Sequence, residues 1–406
     1  KDGIVLGACE EERFTGIKHD YSFPKNTINW LYERFNITKD DITQVAFYDN
    51  PKKKLNRIKW STLRGGIFYY FKRKKIVERN KQFIYDIESD IKKYTNDKVK
   101  IHYSDHHLSH AAYSFYTSPF KEAVILSVDG VGEWETTTLY HGKNTELKKL
   151  DKIKFPSSLG MLYSTMTAFL GFKPNEGEYK VMGLAPYGNP GVYLNKLKTI
   201  FSHTDKKFKI KQKYFTWEYD DRIMFNKRFC NLLGIPPRLP EEPLLQEHKD
   251  LAAACQKLYE LEFLRLVKDA FLLCDSKNLV LGGGCAYNGV ANSKAYRYFR
   301  SIHIPFHPSD AGSAIGACLL KYKGPRKDNT SPYLGPKFHD YEIMRTIETY
   351  GNKIKSYSLS DKDLIKKTAY LINSGNVIGW FQGRMEFGPR ALGGRSILGD
   401  PRSDKM

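Results

Sequence analysis

No apolar run in this chain approaches the length a membrane-spanning helix needs, so nothing in it is expected to cross a bilayer. The opening residues lack the basic-then-apolar pattern of a secretory leader. Cysteine is sparse: Cys9, Cys230, Cys255, Cys274, Cys285 and Cys318 are scattered and form no Cys-x-x-Cys pair. That excludes a disulfide scaffold and points to reduced thiols in a cytoplasmic protein. A Walker A loop, a Gly-x-Gly-x-x-Gly fingerprint, a His-Glu-x-x-His pattern and any internal repeat at a fixed period are also missing. With 41% hydrophobic residues, the composition is far from that of a disordered chain.

Acidic residues are in short supply, 45 against 65 Lys and Arg, for a formal net charge of +20. Much of the excess sits in one stretch: Lys52-Lys53-Lys54, Arg57, Lys59, Arg64, Lys72-Arg73-Lys74-Lys75, Arg79 and Lys81. Trp60, Phe68, Tyr69, Tyr70 and Phe71 are interleaved with them, so residues 52–81 read as a basic amphipathic helix or helical pair. Such a face is either simply solvated or a docking surface for an acidic polymer or lipid headgroups. The charge is milder elsewhere, so nucleic acid is not the expected partner.

Apolar runs alternate with helical spacing along the chain. Lys1-Asp2-Gly3 reads as a hairpin turn entering a strand at 4–8, and 376–381 as a buried strand. Both ends look interrupted, and a fragment of a longer enzyme is expected. Helices are expected over 27–35, 105–116, 159–170, 250–274 and 311–320, and strands over 45–48, 123–128, 135–140, 278–281 and 301–305. This mixture implies an α/β protein with mixed sheets. The proline-bearing residues 190–245 are expected to be peripheral.

Four places carry candidate chemistry. In Asp105-His-His-Leu-Ser-His110, helical spacing puts His106 and His110 on one face, where two imidazoles can meet one ion. An apolar strand then runs into Asp129-Gly130-Val131-Gly132, setting a carboxylate at a strand tip beside amides able to face a phosphate. Gly282, Gly283 and Gly284 sit between a strand and a helix, followed by Asn288, and allow close backbone approach to an anion. Asp310, in His-Pro-Ser-Asp-Ala-Gly-Ser, either caps the next helix or binds metal. Together two His and two Asp form the donor set of an iron-, manganese- or zinc-like site. Glycine turns around such a site are what an actin-like, sugar-kinase-like ATP-binding fold supplies.

Longer motifs carry a family resemblance. Leu159–Phe172 and Asn175–Gly188, Leu281-Gly-Gly-Gly-Cys-Ala-Tyr-Asn-Gly-Val-Ala-Asn292 and Glu386-Phe-Gly-Pro-Arg-Ala-Leu-Gly-Gly-Arg395 closely resemble the nodulation and antibiotic-tailoring carbamoyltransferases. The resemblance implies an actin-like (ASKHA, ribonuclease H-like) two-lobed domain over 1–350, similar to the tRNA threonylcarbamoyl-transfer protein. It implies the start of an acyl-adenylate-forming, YrdC-like α/β domain over 360–406. The second domain would turn carbamoyl phosphate and ATP into carbamoyl-adenylate and pyrophosphate. The first would pass the carbamoyl group to a hydroxyl of a glycan or small-molecule acceptor.

On this resemblance His106, His110, Asp129 and Asp310 hold a divalent metal, with iron expected and manganese, zinc or magnesium as alternatives. Gly130, Gly132, Gly282, Gly283, Gly284 and Asn288 meet the nucleotide. His106, His110 and Lys180 serve catalysis, with Lys180 as a nucleotide contact. Arg390 and Arg395 fork carbamoyl phosphate. A homodimer is one expected assembly. The rival readings are a tRNA threonylcarbamoyladenosine-type transferase and a basic nucleic-acid-binding module.

Overall fold

The structure is a computed structural model that describes residues 1–63, 70–204, 207–220 and 223–404, with only the backbone described at 62 and 70–73. Arg64, Phe68 and Tyr69 of the basic stretch lie outside the described residues, as do the side chains of Tyr70, Phe71, Lys72 and Arg73. The chain divides into two compact units. One comprises Lys1, Val5–Thr38 and Ser331–Met406; the other comprises Asp2–Ile4 and Lys39–Thr330. A division near 350–360 was expected from the sequence; the structure instead joins residues 5–38 to the C-terminal segment.

The smaller unit begins with α1 (Glu12–Thr15) and α2 (Lys25–Phe35). The first turn of α2 has no cap from its own N-cap residue, Pro24. The Glu11 carboxylate takes that role, accepting the backbone N–H groups of Asn26 and Thr27 at 3.0 Å each. Residues 4–8, expected as a strand, form none. The preceding turn is present, however, with Asp2 and Gly3 both at positive φ.

The larger unit runs β1 (Gln44–Phe47), α3 (Pro51–Leu63), α4 (Tyr70–Tyr94), β2 (Lys100–Tyr103), α5 (His106–Tyr116), β3 (Glu122–Val128), β4 (Glu135–Lys143) and β5 (Glu146–Lys154). It continues with α6 (Leu159–Phe169), α7 (Glu178–Leu184), α8 (Leu194–Lys198), β6 (Phe201–Thr204), β7 (Lys207–Ile210), α9 (Lys227–Leu233) and α10 (Gln246–Leu273). Next come β8 (Asn278–Gly282), α11 (Gly289–Asn292), β9 (Ser301–His303) and α12 (Asp310–Leu319). The described residues of the basic stretch lie on two helices, α3 and α4. The architecture is mixed α/β.

A five-stranded sheet in the order β5-β4-β3-β8-β9 organises this unit. β3, β4 and β5 form an antiparallel meander, whereas β8 pairs parallel to β3 and β9 parallel to β8. The central strand β3 is covered on both faces, so it reads as a continuous apolar run. Val124, Leu126 and Val128 join the large core with α6 and α10, while Ala123 and Ile125 pack with Ala111 and Phe115 of α5. Residues 190–245, expected at the periphery, supply Leu197, Phe201, Phe208, Phe215, Trp217 and Phe229 to that same large core. The prolines at 236, 237, 240 and 243 follow this packed part and are exposed.

Back in the smaller unit, α13 (Asp340–Tyr350) and α14 (Asp361–Asn373) precede β10 (Ile378–Phe381) and β11 (Arg395–Leu398). The last two form a two-stranded antiparallel sheet. β10 was expected to be buried. Pairing with β11 alone leaves it half exposed.

Candidate functional site

The carboxyl ends of the parallel strands are where an α/β sheet opens a crevice, and the candidate residues gather there. Asp129 follows the last residue of β3, Val128. β8 ends at Gly282, with Gly283 and Gly284 next in the chain. The connection after β9 leads to Asp310, first residue of α12, and α5 brings His106 and His110. One donor atom from each of His106, His110, Asp129 and Asp310 lies within 4.8 Å of the other three.

Individual distances define the cluster. His106 Nε2 is 3.1 Å from Asp129 Oδ2 and 3.5 Å from Asp310 Oδ1. His110 Nε2 is 3.7 Å from Asp129 Oδ2 and 3.4 Å from Asp310 Oδ1, and the two Nε2 atoms are 3.1 Å apart. An ion with ligand bonds of about 2.1 Å spaces neighbouring donors roughly 3.0–3.4 Å apart. The donors fit a divalent metal. Asp310 does not act as a cap: Ser309 is the N-cap of α12, and the Asp310 carboxylate faces the histidines.

Neighbouring groups hold these side chains. Asp129 Oδ1 accepts the Gly284 N–H at 2.9 Å, which leaves Oδ2 for the imidazoles. His110 Nδ1 meets Ser313 Oγ at 2.8 Å, an outer contact of the kind that would hold Nε2 towards a metal. His106 Nδ1 is buried without a partner among the described residues. Its ring is positioned by packing, 5.6 Å from the Tyr48 ring, and a Cβ on Gly132 would come within 3.0 Å of it. The His106 backbone N–H, an orphan donor at the start of α5, bonds both Glu133 oxygens at 3.0 and 3.1 Å.

Burial disfavours charge on His106, His110 and Asp129, while Asp310 is exposed, yet their mutual attraction prevails. Burial acts to lower His110, but hydrogen bonds and charges of Asp129 and Asp310 raise it to about 10. Burial likewise opposes ionisation of Asp129, and desolvation that of Asp310 although its side chain is 53% exposed; the imidazoles nonetheless hold both below the ordinary carboxylate range. His107 lies outside the cluster. Burial and the neighbouring imidazoles push it well down, and its Nδ1 meets Thr138 Oγ1 at 3.1 Å. Burial, then the charge of Asp310, keeps the Tyr48 hydroxyl well above its usual range, so it stays protonated.

The glycines act differently from expectation. Amides foreseen for a phosphate are used inside the fold: Gly132 N–H donates to Glu135 O, Gly283 N–H to Pro308 O and Gly284 N–H to Asp129. At Gly283, φ is +83° and a Cβ would lie 2.2 Å from Val128 O, so only glycine lets β8 turn against β3 here. Gly282 lies within β8, paired with Ser127. Gly130 keeps an open side, since a Cβ there would meet only Met161 Sδ at 3.9 Å. Asn288 caps α11 through Ala291 N–H and exchanges hydrogen bonds with Gln256, which makes it a strut.

Lys180 is not drawn into the cluster; its ammonium lies 5.7 Å from the centroid of the Phe172 ring. Arg390 and Arg395 belong to the smaller unit. Arg390 is exposed. Arg395 spends Nε on Glu386 Oε2 at 3.0 Å and Nη2 on the Glu386 and Gly388 carbonyls. It is therefore tied into its own turn, and less free to fork a ligand than the sequence implied.

Sequence reasoning missed Tyr48, Glu133 and Ser313. Ser313 had a signal, because it lies three residues after Asp310 and so shares its helix face. Glu133 closes the Asp129-Gly-Val-Gly-Glu motif, where its position hinted at a partner. The base of α3 also borders the site. Lys53 pairs with Asp105 at 2.6 Å and Lys54 with Asp49 at 2.7 Å. Arg57 is buried, its guanidinium 5.1 Å from the Phe155 ring centroid. Three cations of the basic stretch thus serve the fold.

Comparison with known proteins gives a consistent picture. A family model described as carbamoyltransferase N-terminus matches residues 1–319, and one described as carbamoyltransferase C-terminus matches 369–406. An uncharacterized Synechocystis protein, sll1178, is 40% identical over 100% of this chain and 69% of its own length. Nodulation protein NolNO of Sinorhizobium fredii is 33% identical over 99% of this chain. This chain spans 57% of the length of that relative. Among solved structures, full-length HypF in a phosphate- and nucleotide-bound form aligns with 57% of this chain and 44% of its own, at 13% identity and a TM-score of 0.32.

Proposed function

This chain belongs to the carbamoyltransferase family, and from that premise we propose that it is the metal- and nucleotide-binding part of an ATP-dependent O-carbamoyltransferase. The donor is carbamoyl phosphate, activated as carbamoyl-adenylate. The acceptor is a hydroxyl of a glycan or secondary metabolite. The convergence of His106, His110, Asp129 and Asp310 is the observation that carries this reading.

The fold reading is part of the same proposal. A meander of three antiparallel strands, extended by two parallel strands on the side of its first, supports reading the sheet as that of a ribonuclease H-like, actin-like domain. Residues from 369 on match the carbamoyltransferase C-terminus and are read as the opening of a YrdC-like domain.

His106, His110, Asp129 and Asp310 would hold the metal, for which two nitrogens and two carboxylates suit iron, manganese, zinc or magnesium. When bound, it supplies Lewis-acid polarisation and neutralises phosphate charge. The residues around it do the positioning. Gly284 fixes one oxygen of Asp129 and Ser313 orients His110, so the ligands need little rearrangement. The open side of Gly130 leaves room beside the cluster for the adenylate. Lys180 and Arg390 are exposed and available to its phosphates and to carbamoyl phosphate. In the transfer step the acceptor oxygen attacks the carbamoyl carbon, the bond from that carbon to the adenylate oxygen breaks, and AMP and the hydroxyl proton depart.

The test supplies the intact enzyme with labelled carbamoyl phosphate, ATP and a hydroxylated acceptor pool, and measures metal content in parallel. Expected are a divalent ion bound by the unaltered protein and ATP-dependent label in a hydroxyl product, both lost in His106→Ala. Label transfer without ATP, or undiminished in His106→Ala, rejects the proposal.

A further inference from the structure

Between Pro51 and Tyr85 the sequence places twelve Lys and Arg residues against a single acid, Glu78. Lys53 and Lys54 pair with Asp105 and Asp49, and Arg57 is buried against the Phe155 ring, so each has a partner in the fold. The outer face of α3 remains. Lys52, Asn56, Lys59, Trp60 and Leu63 are all exposed, and at helical spacing they fall within an arc of about 100°. Trp60 is 59% exposed and Leu63 48%, on the same stripe as the two lysines. α4 packs beside α3. It carries Lys74, Lys81 and the 70%-exposed Tyr85 along one line with Glu78, which lies 4.0 Å from Lys74; the acids Asp86, Glu88 and Asp90 follow in its C-terminal half.

We infer that the α3–α4 pair is a docking surface for an anionic lipid bilayer, lying on the membrane without crossing it. Lysines set beside Trp and Leu on one helix face are what the headgroup boundary selects. The ammonium groups meet lipid phosphates, while the indole and the aliphatic side chain enter the acyl boundary. A nucleic acid would use the cations and an aromatic platform, but it gives an exposed Leu63 nothing to pack against. No helix among the described residues is long and apolar enough to cross a bilayer, so the contact is interfacial.

The experiment is co-sedimentation of the protein with vesicles of phosphatidylcholine alone and of equimolar phosphatidylcholine and phosphatidylglycerol. Partition into the anionic vesicles should exceed that into neutral ones by about tenfold or more and fall with added salt. Lys52→Glu with Lys59→Glu should abolish most of that excess. Lys52→Arg with Lys59→Arg should retain it, which separates charge from misfolding. Trp60→Ala should weaken binding several-fold while leaving the salt dependence in place. Equal partition into both vesicle types overturns the inference, as does anionic binding indifferent to the glutamate substitutions. Binding to single-stranded RNA with no vesicle binding overturns it in favour of a nucleic-acid surface.

Discussion

Ser313 and Glu386 show how single side chains set the behaviour of the two units. Ser313 is fully buried, and its hydroxyl is the outer partner of His110. Ser313→Ala should lower divalent-metal affinity about tenfold or more, measured by metal titration of the chelator-stripped protein. An unchanged affinity would mean that the imidazole is held by packing alone. Glu386 accepts the Leu392 and Gly394 N–H groups at 2.7 Å each, besides its pair with Arg395. Burial acts to raise it, but these donors prevail and hold it at about 2, below the ordinary 4.5. Because the folded value is the lower one, its contribution to stability is present above pH 4.5 and fades as pH falls towards 2. Glu386→Gln should flatten that acid limb in pH-dependent unfolding of the smaller unit; an unaltered limb would assign it to other carboxylates. That His106, His110, Asp129 and Asp310 come together was legible in advance, because helical spacing and strand tips announce such positions. Partners such as Glu133 and Tyr48 act through backbone N–H groups and ring packing, which leave no periodic trace.

At the scale of elements, the periodic segments were legible nearly to their ends. α5, α6, α10, β3, β8 and α12 all fall where apolar spacing placed them. Segments governed by context were not. Residues 4–8 have strand composition but no partner strand, and β10 has only β11. Residues 190–245 were expected at the periphery from the prolines at 236, 237, 240 and 243, which are exposed, but the aromatics up to Phe229, spaced without period, fill the large core. Phe229 is fully buried against Phe169, Phe215 and Phe225. Phe229→Ala should cost about 3–5 kcal/mol in denaturant unfolding, where a peripheral residue would cost less than about 0.5 kcal/mol. Gly283→Ala forces both a strained φ and a collision with the Val128 carbonyl. It should destabilise by roughly 2–4 kcal/mol and displace Asp129, so metal binding is expected to fall with it.

At the scale of the molecule, nothing in the sequence signalled that residues 5–38 fold with the C-terminal segment. Contacts between segments some three hundred residues apart have no local signature. They are held by bonds such as Ala8 N–H to Leu334 O at 3.1 Å and Arg13 Nη2 to Gly388 O at 3.3 Å. The two units also differ in what stabilises them. α10 buries fifteen of its residues, whereas α13 and α14 bury none and leave Met344 55%, Ile365 62% and Tyr370 69% exposed. Little apolar area opposes their local opening, so the free energy of opening should lie far below that of α5, β3 and α10. In native-state hydrogen exchange, amides of 340–350 and 361–373 should therefore exchange orders of magnitude faster than those of 123–128 and 251–270. Divalent metal should slow exchange in α5 and at the end of β3, because an ion bound by the folded form adds its binding energy to the opening cost there. It should leave α13 and α14 unchanged, since none of the four ligands belongs to their unit. Equal protection of both sets, or a metal effect confined to the smaller unit, would contradict the assignment of the site to the sheet of the larger one.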